Sequence, residues 1–191
     1  MRPIHSNYPV HERAPRPYKG GRRAMMMATS AMLSLAALGC GSDGLLGPGL
    51  GSGTLTATGA VTASGSGLAV FQSVSSGGTS LFQILVAPVS QSAAVWQLQI
   101  ANYTGRLAVG TYNLSPLSAS SSDPTANFYY TAAAAVQTFN STSGQLVITS
   151  SSPSEVRGTF TFTATEASGG TGTVSVQGSF TAQCAPGTSC Q

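Results

Sequence analysis

The sequence predicts an all-β domain, an antiparallel β-sandwich of about eight strands, immunoglobulin-like or similar. Two observations predict it. Apolar and polar residues alternate with period two, as in Trp96-Gln97-Leu98-Gln99-Ile100 and Thr159-Phe160-Thr161-Phe162-Thr163-Ala164-Thr165. Such alternation places one side of a strand in a core and the other in water. Between the alternating blocks stand turn clusters, Ser76-Gly77-Gly78, Ser121-Ser122-Asp123-Pro124, Ser143-Gly144 and Ser168-Gly169-Gly170, while no stretch after Cys40 sustains a helical period.

Taken in order, the blocks predict strands over 54–62, 68–75, 79–87, 93–101, 126–139, 144–150, 156–165 and 173–182. Thr131-Ala132-Ala133-Ala134-Ala135 has helical propensity, but it lies between Phe128-Tyr129-Tyr130 and Val136, and we assign it to a strand. The last two strands predict their own register. A loop over 167–171 sets Phe162 opposite Val176 and Phe160 opposite Gly178, where an aromatic ring covers the missing side chain. Short strands separated by regular turns suit a sandwich or a barrel.

Charge divides the chain at Cys40. Six of the eight basic residues and both histidines precede it, whereas Arg106 and Arg157 face Asp43, Asp123, Glu155 and Glu166 after it, a balance of −2. Two isolated arginines cannot replace the counterions of a phosphate backbone, which excludes nucleic acid as a partner. Disordered chains combine low hydrophobicity with high net charge. At 41% hydrophobic residues this chain is instead expected to fold, with serine and threonine hydroxyls solvating its strand faces.

Residues 1–23 are polar and basic, and residues 24–38, AMMMATSAMLSLAAL, are apolar but too short to span a bilayer, which takes about 20 residues. A basic region, a short apolar region and small residues at its end make a secretory signal, assigned here to 1–39. Ala37-Leu38-Gly39-Cys40 resembles the lipobox of bacterial lipoproteins, with Ala37 where that class usually has Leu. The resemblance implies cleavage before Cys40, a diacylglyceryl group on its thiol and acylation of the new amine. Arg22-Arg23-Ala24-Met25-Met26 also resembles the core of a twin-arginine signal, so the export route stays open. Gly41 stands where inner-membrane retention commonly uses Asp, which implies the outer membrane in a two-membrane cell. Residues 40–53, a glycine-rich run, read as a tether reaching roughly 20 Å. Its glycines lack the preceding strand and following lysine of a phosphate loop.

A second resemblance covers roughly residues 68–182. Gly110-Thr111-Tyr112, Gly144-Gln145-Leu146, Gly158-Thr159-Phe160-Thr161-Phe162 and Gly178-Ser179-Phe180 look like the G-T-Y, G-x-hydrophobic, G-T-F-x-F and G-x-F pattern of a group of uncharacterised bacterial lipoproteins. It implies an envelope β-sandwich over 54–183 with no established activity.

Cys184 and Cys190 remain once Cys40 is acylated. Two cysteines in an exported protein pair, and Pro186-Gly187 favours the reversal that joins them. The resulting loop, 184–191, is expected beyond the last strand, where it would stabilise only the tail.

Catalytic chemistry finds little support. The chain after Cys40 has neither histidine nor lysine, so its serines lack a base. Glu155 and Glu166 flank one strand, far beyond the separation of a glycosidase pair. No cofactor is implied. Trp96 shares parity with Leu98 and Ile100 and belongs to a core; Tyr103, Tyr129 and Tyr130 are the candidate ligand-facing aromatics, of which Tyr129 and Tyr130 must face opposite ways. The expected function is that of a non-catalytic envelope lipoprotein, held at a membrane through the Cys40 lipid and acting as a structural or interaction module toward an envelope protein or glycan. The alternative is a carbohydrate- or peptide-binding module using an aromatic patch or a sheet edge.

Overall fold

The structure, a computed structural model, describes residues 50–76, 78–89, 94–116, 122–133, 135–167, 169–188 and 190. The predicted signal, Cys40 and most of the tether lie outside them. Among the described residues every regular element is a strand: β1 Gly51–Gly59, β2 Ala63–Ser76, β3 Thr79–Pro88, β4 Ala94–Asn102, β5 Gly110–Asn113, β6 Thr125–Ala132, β7 Ala135–Ser151, β8 Glu155–Glu166 and β9 Thr173–Cys184.

The strands do not form the expected sandwich. They close into an eight-stranded antiparallel barrel in the order β7-β6-β4-β3-β2-β1-β9-β8, with β8 returning to β7. Two features of local structure account for the closure. The 17-residue β7 carries register shifts between Ser141 and Ser143 and between Ile148 and Ser150. Bulges of this kind bend a strand and increase its twist. β7 thereby keeps β8 along one edge while its other edge serves first β6 and then the short β5. On the far side, β1 lies between β2 and β9, and past its first residue β2 and β9 pair directly at Val70–Gln183 and Phe71–Cys184. With both seams paired, each of the eight barrel strands has a partner on both sides among the described residues, so they do not divide into two separate sheets.

An eight-stranded barrel has an interior just wide enough for side chains to fill. Here alternate residues of every barrel strand fill it: Leu55 from β1, Phe71 from β2, Ile84 from β3, Leu98 from β4, Phe128 from β6, Phe139 from β7, Phe162 from β8 and Val176 from β9 belong to one buried cluster. Burying each such side chain contributes about 1.5–3 kcal/mol.

The β8–β9 hairpin has the register read from the sequence, with Phe160 opposite Gly178 and Phe162 opposite Val176. The pairing is reciprocal, because Phe180 also stands opposite Gly158. A Cβ on Gly178 would meet Phe160 Cζ at 2.5 Å, and one on Gly158 would meet Phe180 Cζ at 2.9 Å. Two G-x-F segments running antiparallel therefore place each ring over the other strand's glycine, and the Phe160 and Phe180 rings stack with centroids 6.4 Å apart.

Three local expectations need correction. Residues 131–135 are not continuous strand: β6 ends at Ala132, β7 begins at Ala135, and Ala133 turns the chain with φ of 49°. Gly51 and Gly53, read as tether, are the first inward positions of β1, where an added Cβ would meet the Thr181 carbonyl or the Val86 side chain. β5, absent from the predicted strands, adds to β7 from Gly110–Ile148 to Asn113–Gln145.

Candidate functional site

The outer wall is polar on the β1–β9–β8 side. Thr54, Thr56 and Thr58 of β1, Ser175, Gln177 and Ser179 of β9, and Thr159, Thr161 and Thr163 of β8 all alternate with buried neighbours. A barrel that spans a membrane carries its apolar residues outward and its polar ones inward; these three strands do the reverse.

Register arranges the outward residues in rows. One row runs Thr54, Ser179, Thr159, Val147 across β1, β9, β8 and β7; the next runs Thr56, Gln177, Thr161, Gln145. Strands about 4.8 Å apart and residues about 6.7 Å apart along each strand set the spacing of this array. The rows line an open groove of about 420 Å³. Thr54 Oγ1 and Ser179 Oγ share a hydrogen bond of 3.0 Å at its rim.

The candidate aromatics divide between the two sides of the wall. Trp96 is 5% exposed and in the core, as parity required. Tyr130 also packs against the core, whereas its neighbour Tyr129 faces outward and donates its hydroxyl hydrogen to Gln99 Oε1 at 3.0 Å. Burial raises the Tyr129 pKa above the ordinary tyrosine value, and Tyr103 adds to the shift. Tyr103 itself is 42% exposed. Of the three candidates, Tyr103 lies exposed just past β4, Tyr129 faces outward from β6, and Tyr130 is withdrawn toward the core. Tyr112 is half-buried, with its hydroxyl donated to the Ala108 carbonyl.

At the end of the barrel where β1 begins, the C-terminal segment folds back as a lid. Cys184 and Cys190 are disulfide-bonded. The loop between them is not a free tail: Ala185 N–H donates to the Phe71 carbonyl at 2.8 Å, Cys184 N–H donates to the Ser154 carbonyl at 3.0 Å, and Cys190 is 5% exposed within the core cluster. Arg106, from the β4–β5 connection, secures this arrangement. Its guanidinium donates to Ser151 Oγ at 3.1 Å, to the Cys190 carbonyl at 2.8 Å and to the Ser152 carbonyl, and lies 5.2 Å above the Phe71 ring. Partial burial lowers its pKa from the ordinary arginine value. The sequence marked Arg106 only as one of two cations; no local motif announces a residue whose partners lie 45 and 84 positions away.

Among the described residues, no three His, Cys, Asp or Glu side chains gather as a metal site would require. Glu155 and Glu166 stand at opposite ends of β8. Glu155 is engaged by Arg157, at 2.6 Å from Nε and 3.1 Å from Nη2, and by Gln183 Nε2 at 2.9 Å. The Arg157 hydrogen bond leads the causes that hold its carboxyl below the ordinary value.

What these features define is a filled barrel with a capped end and a neutral polar wall on its β1–β9–β8 side. Residues 91–182 are similar to a family described as a domain of unknown function (DUF6252). That segment takes in β4 to β8 and most of β9, and leaves out β1 to β3. Comparisons with curated proteins and with solved structures gave no match.

Proposed function

We propose that this chain is a lipid-tethered, non-catalytic envelope lipoprotein whose barrel acts as an interaction module through its outer surface. One observation carries the reading of the barrel: side chains from all eight strands fill the interior, so binding falls to the wall. Supporting it, Arg157 and Gln183 occupy Glu155, and the Arg106 guanidinium is spent on holding the lid. The tether reading rests on the sequence around Cys40, which resembles the lipobox, and on the basic and apolar segments before it. Outer-membrane residence rests on Gly41.

The test has two parts. Intact mass of the membrane-fraction protein is expected to show a chain beginning at Cys40 and carrying acyl mass, and Cys40→Ser is expected to remove that mass and release the protein to the soluble fraction. A pull-down from native envelope then looks for a partner retained by the folded barrel. An unacylated mature mass refutes the tether, and turnover of a substrate by the purified protein refutes the non-catalytic module.

The aromatic-patch alternative keeps one observation in its favour, the outward placement of Tyr129 and the exposure of Tyr103. The Tyr129 hydroxyl is already committed to Gln99, and without Trp96 and Tyr130 the patch has two rings.

A further inference from the structure

We infer that the groove across β1, β9, β8 and β7 is a binding site for a neutral glycan chain. The inference deepens the reading of the barrel as an interaction module and rests on it.

Some polar side chains elsewhere on the outer wall pair with each other: Gln72 with Gln83 at 3.0 Å, Tyr129 with Gln99 at 3.0 Å, and Glu155 with Arg157 and Gln183. Inside the groove, Thr56, Gln145, Thr159, Thr161 and Gln177 have no side-chain hydrogen-bond partner among the described residues, although register sets Thr56, Gln177, Thr161 and Gln145 in one row across four strands. Five hydroxyl and carboxamide groups thus face one groove with their hydrogen-bonding capacity unspent.

The chemistry of those groups selects the ligand. Hydroxyl and carboxamide each donate and accept. A sugar hydroxyl also does both, so a polyhydroxylated chain can exchange bonds with every position regardless of register. No charged side chain lines the groove. A polyanion would meet no cation there, a polycation no carboxylate, and either would lose hydration without compensation. An extended peptide is disfavoured for a different reason. Peptides join sheets by adding to an edge through main-chain hydrogen bonds, and this groove lies on a sheet face whose main-chain groups are already paired between β1, β9, β8 and β7. Val147 supplies an apolar contact for the C–H face of a sugar ring. The groove volume of about 420 Å³ is within the range of small-ligand sites. Because the side chains stand on paired strands of a closed barrel, their spacing is fixed before the ligand arrives, which lowers the ordering cost of binding.

The test uses the full-length protein in a detergent without a sugar headgroup, observed by amide NMR while cellohexaose, chitohexaose or laminarihexaose is titrated, with hexagalacturonate as the anionic control and an uncharged Gly-Ser peptide as the peptide control. At least one neutral hexasaccharide is expected to give saturable shifts centred on Thr159, Thr161, Gln177 and the Gln145 carboxamide. Thr159→Val with Thr161→Val, which keeps shape and strand propensity, is expected to weaken binding tenfold or more with unchanged spectral dispersion. Tyr103→Ala with Tyr129→Ala, outside the groove, is expected to leave it unchanged. The inference is overturned by shifts centred on Tyr103 and Tyr129, by equal or stronger binding of hexagalacturonate or the peptide, by binding that survives the threonine substitutions, or by no saturable shift with any neutral hexasaccharide. In each of those cases the envelope pull-down decides separately whether the barrel is an interaction module at all.

Discussion

If the C-terminal lid belongs to the barrel, removing its clasp must destabilise the whole domain and not merely loosen the last residues. Arg106→Met tests this while keeping most of the side-chain stem. The substitution deletes three hydrogen bonds, to Ser151 Oγ and to the Ser152 and Cys190 carbonyls, and one cation–π contact with Phe71. Hydrogen bonds contribute about 1 kcal/mol each net of water, and a partly exposed cation–π contact about 0.5–1 kcal/mol. Water will satisfy some of the released carbonyls, so the expected loss is about 2–3 kcal/mol. For a domain of this size each kcal/mol moves Tm by about 3 °C, which gives a drop of about 6–9 °C in calorimetry. Opening the disulfide with Cys184→Ser and Cys190→Ser is expected to cost about 2 kcal/mol from ring-closure entropy. Because Arg106 grips the carbonyl of Cys190 itself, the two perturbations should couple, with a double-mutant interaction of at least about 0.5 kcal/mol. A fall in Tm below 2 °C for Arg106→Met, or strict additivity of the two changes, would refute the lid and return the loop to the frayed tail expected from sequence.

Three other perturbations follow from particular contacts. Gly178→Ala places a Cβ 2.0 Å from the Thr54 carbonyl oxygen and 2.5 Å from Phe160 Cζ; overpacking of this kind costs about 1–3 kcal/mol, and a denaturant midpoint no lower than that of the parent would contradict the reciprocal ring–glycine packing. Ala133→Gly removes an L side chain from a left-handed turn conformation, which costs about 1–2 kcal/mol, partly offset by the greater unfolded-state entropy of glycine; a net gain of about 0.5–1 kcal/mol in urea unfolding is expected, and a loss would count against the turn. Glu155 has its pKa lowered in the folded state, first by the Arg157 hydrogen bond; its contribution to stability is therefore present above the ordinary carboxylate pKa and lost as pH falls through the lowered one. Carboxyl NMR titration should show the Glu155 pKa returning toward the ordinary value in Arg157→Gln, more weakly at high salt because the pair is exposed, and an unchanged titration would show that the pair does not govern it.

The strands were legible because their alternation is local. A residue two positions from another shares its face whatever the strand later pairs with, so Trp96 was assignable to the core and Tyr129 and Tyr130 to opposite faces before any topology was known. The β8–β9 register was legible for a related reason: a single shift would have moved Phe160 and Phe162 to the solvent side. The β6–β7 turn was not, since an Ala-Ala loop carries none of the Asn-Gly or Asp-Gly chemistry that marks two-residue hairpins. β5 was too short, at four residues, to display a period. In the candidate site, each threonine of the groove could be assigned outward from sequence, but their gathering into rows depends on pairing β1 with β9, partners separated by more than a hundred residues.

Sandwich and barrel share the same inward and outward alternation, and the difference lies in whether the outermost strands find each other. Here two devices bring that about, and neither is a hydrophobic pattern. β7 bends at its register shifts so that β6, β5 and β8 can all use its edges. β1 starts within a glycine run because its first inward positions lie against the Thr181 carbonyl and Val86, where larger side chains would not fit. A segment limited to residues 91–182 would keep the bent strand but lose β1 to β3, leaving β4 and β9 with open edges, and would lose the lid with its disulfide. The neutral groove would lose its Thr54 and Thr56 wall in the same step. Closure of this barrel therefore depends on β1, whose first residues, Gly51 to Gly53, sequence composition alone would assign to a linker.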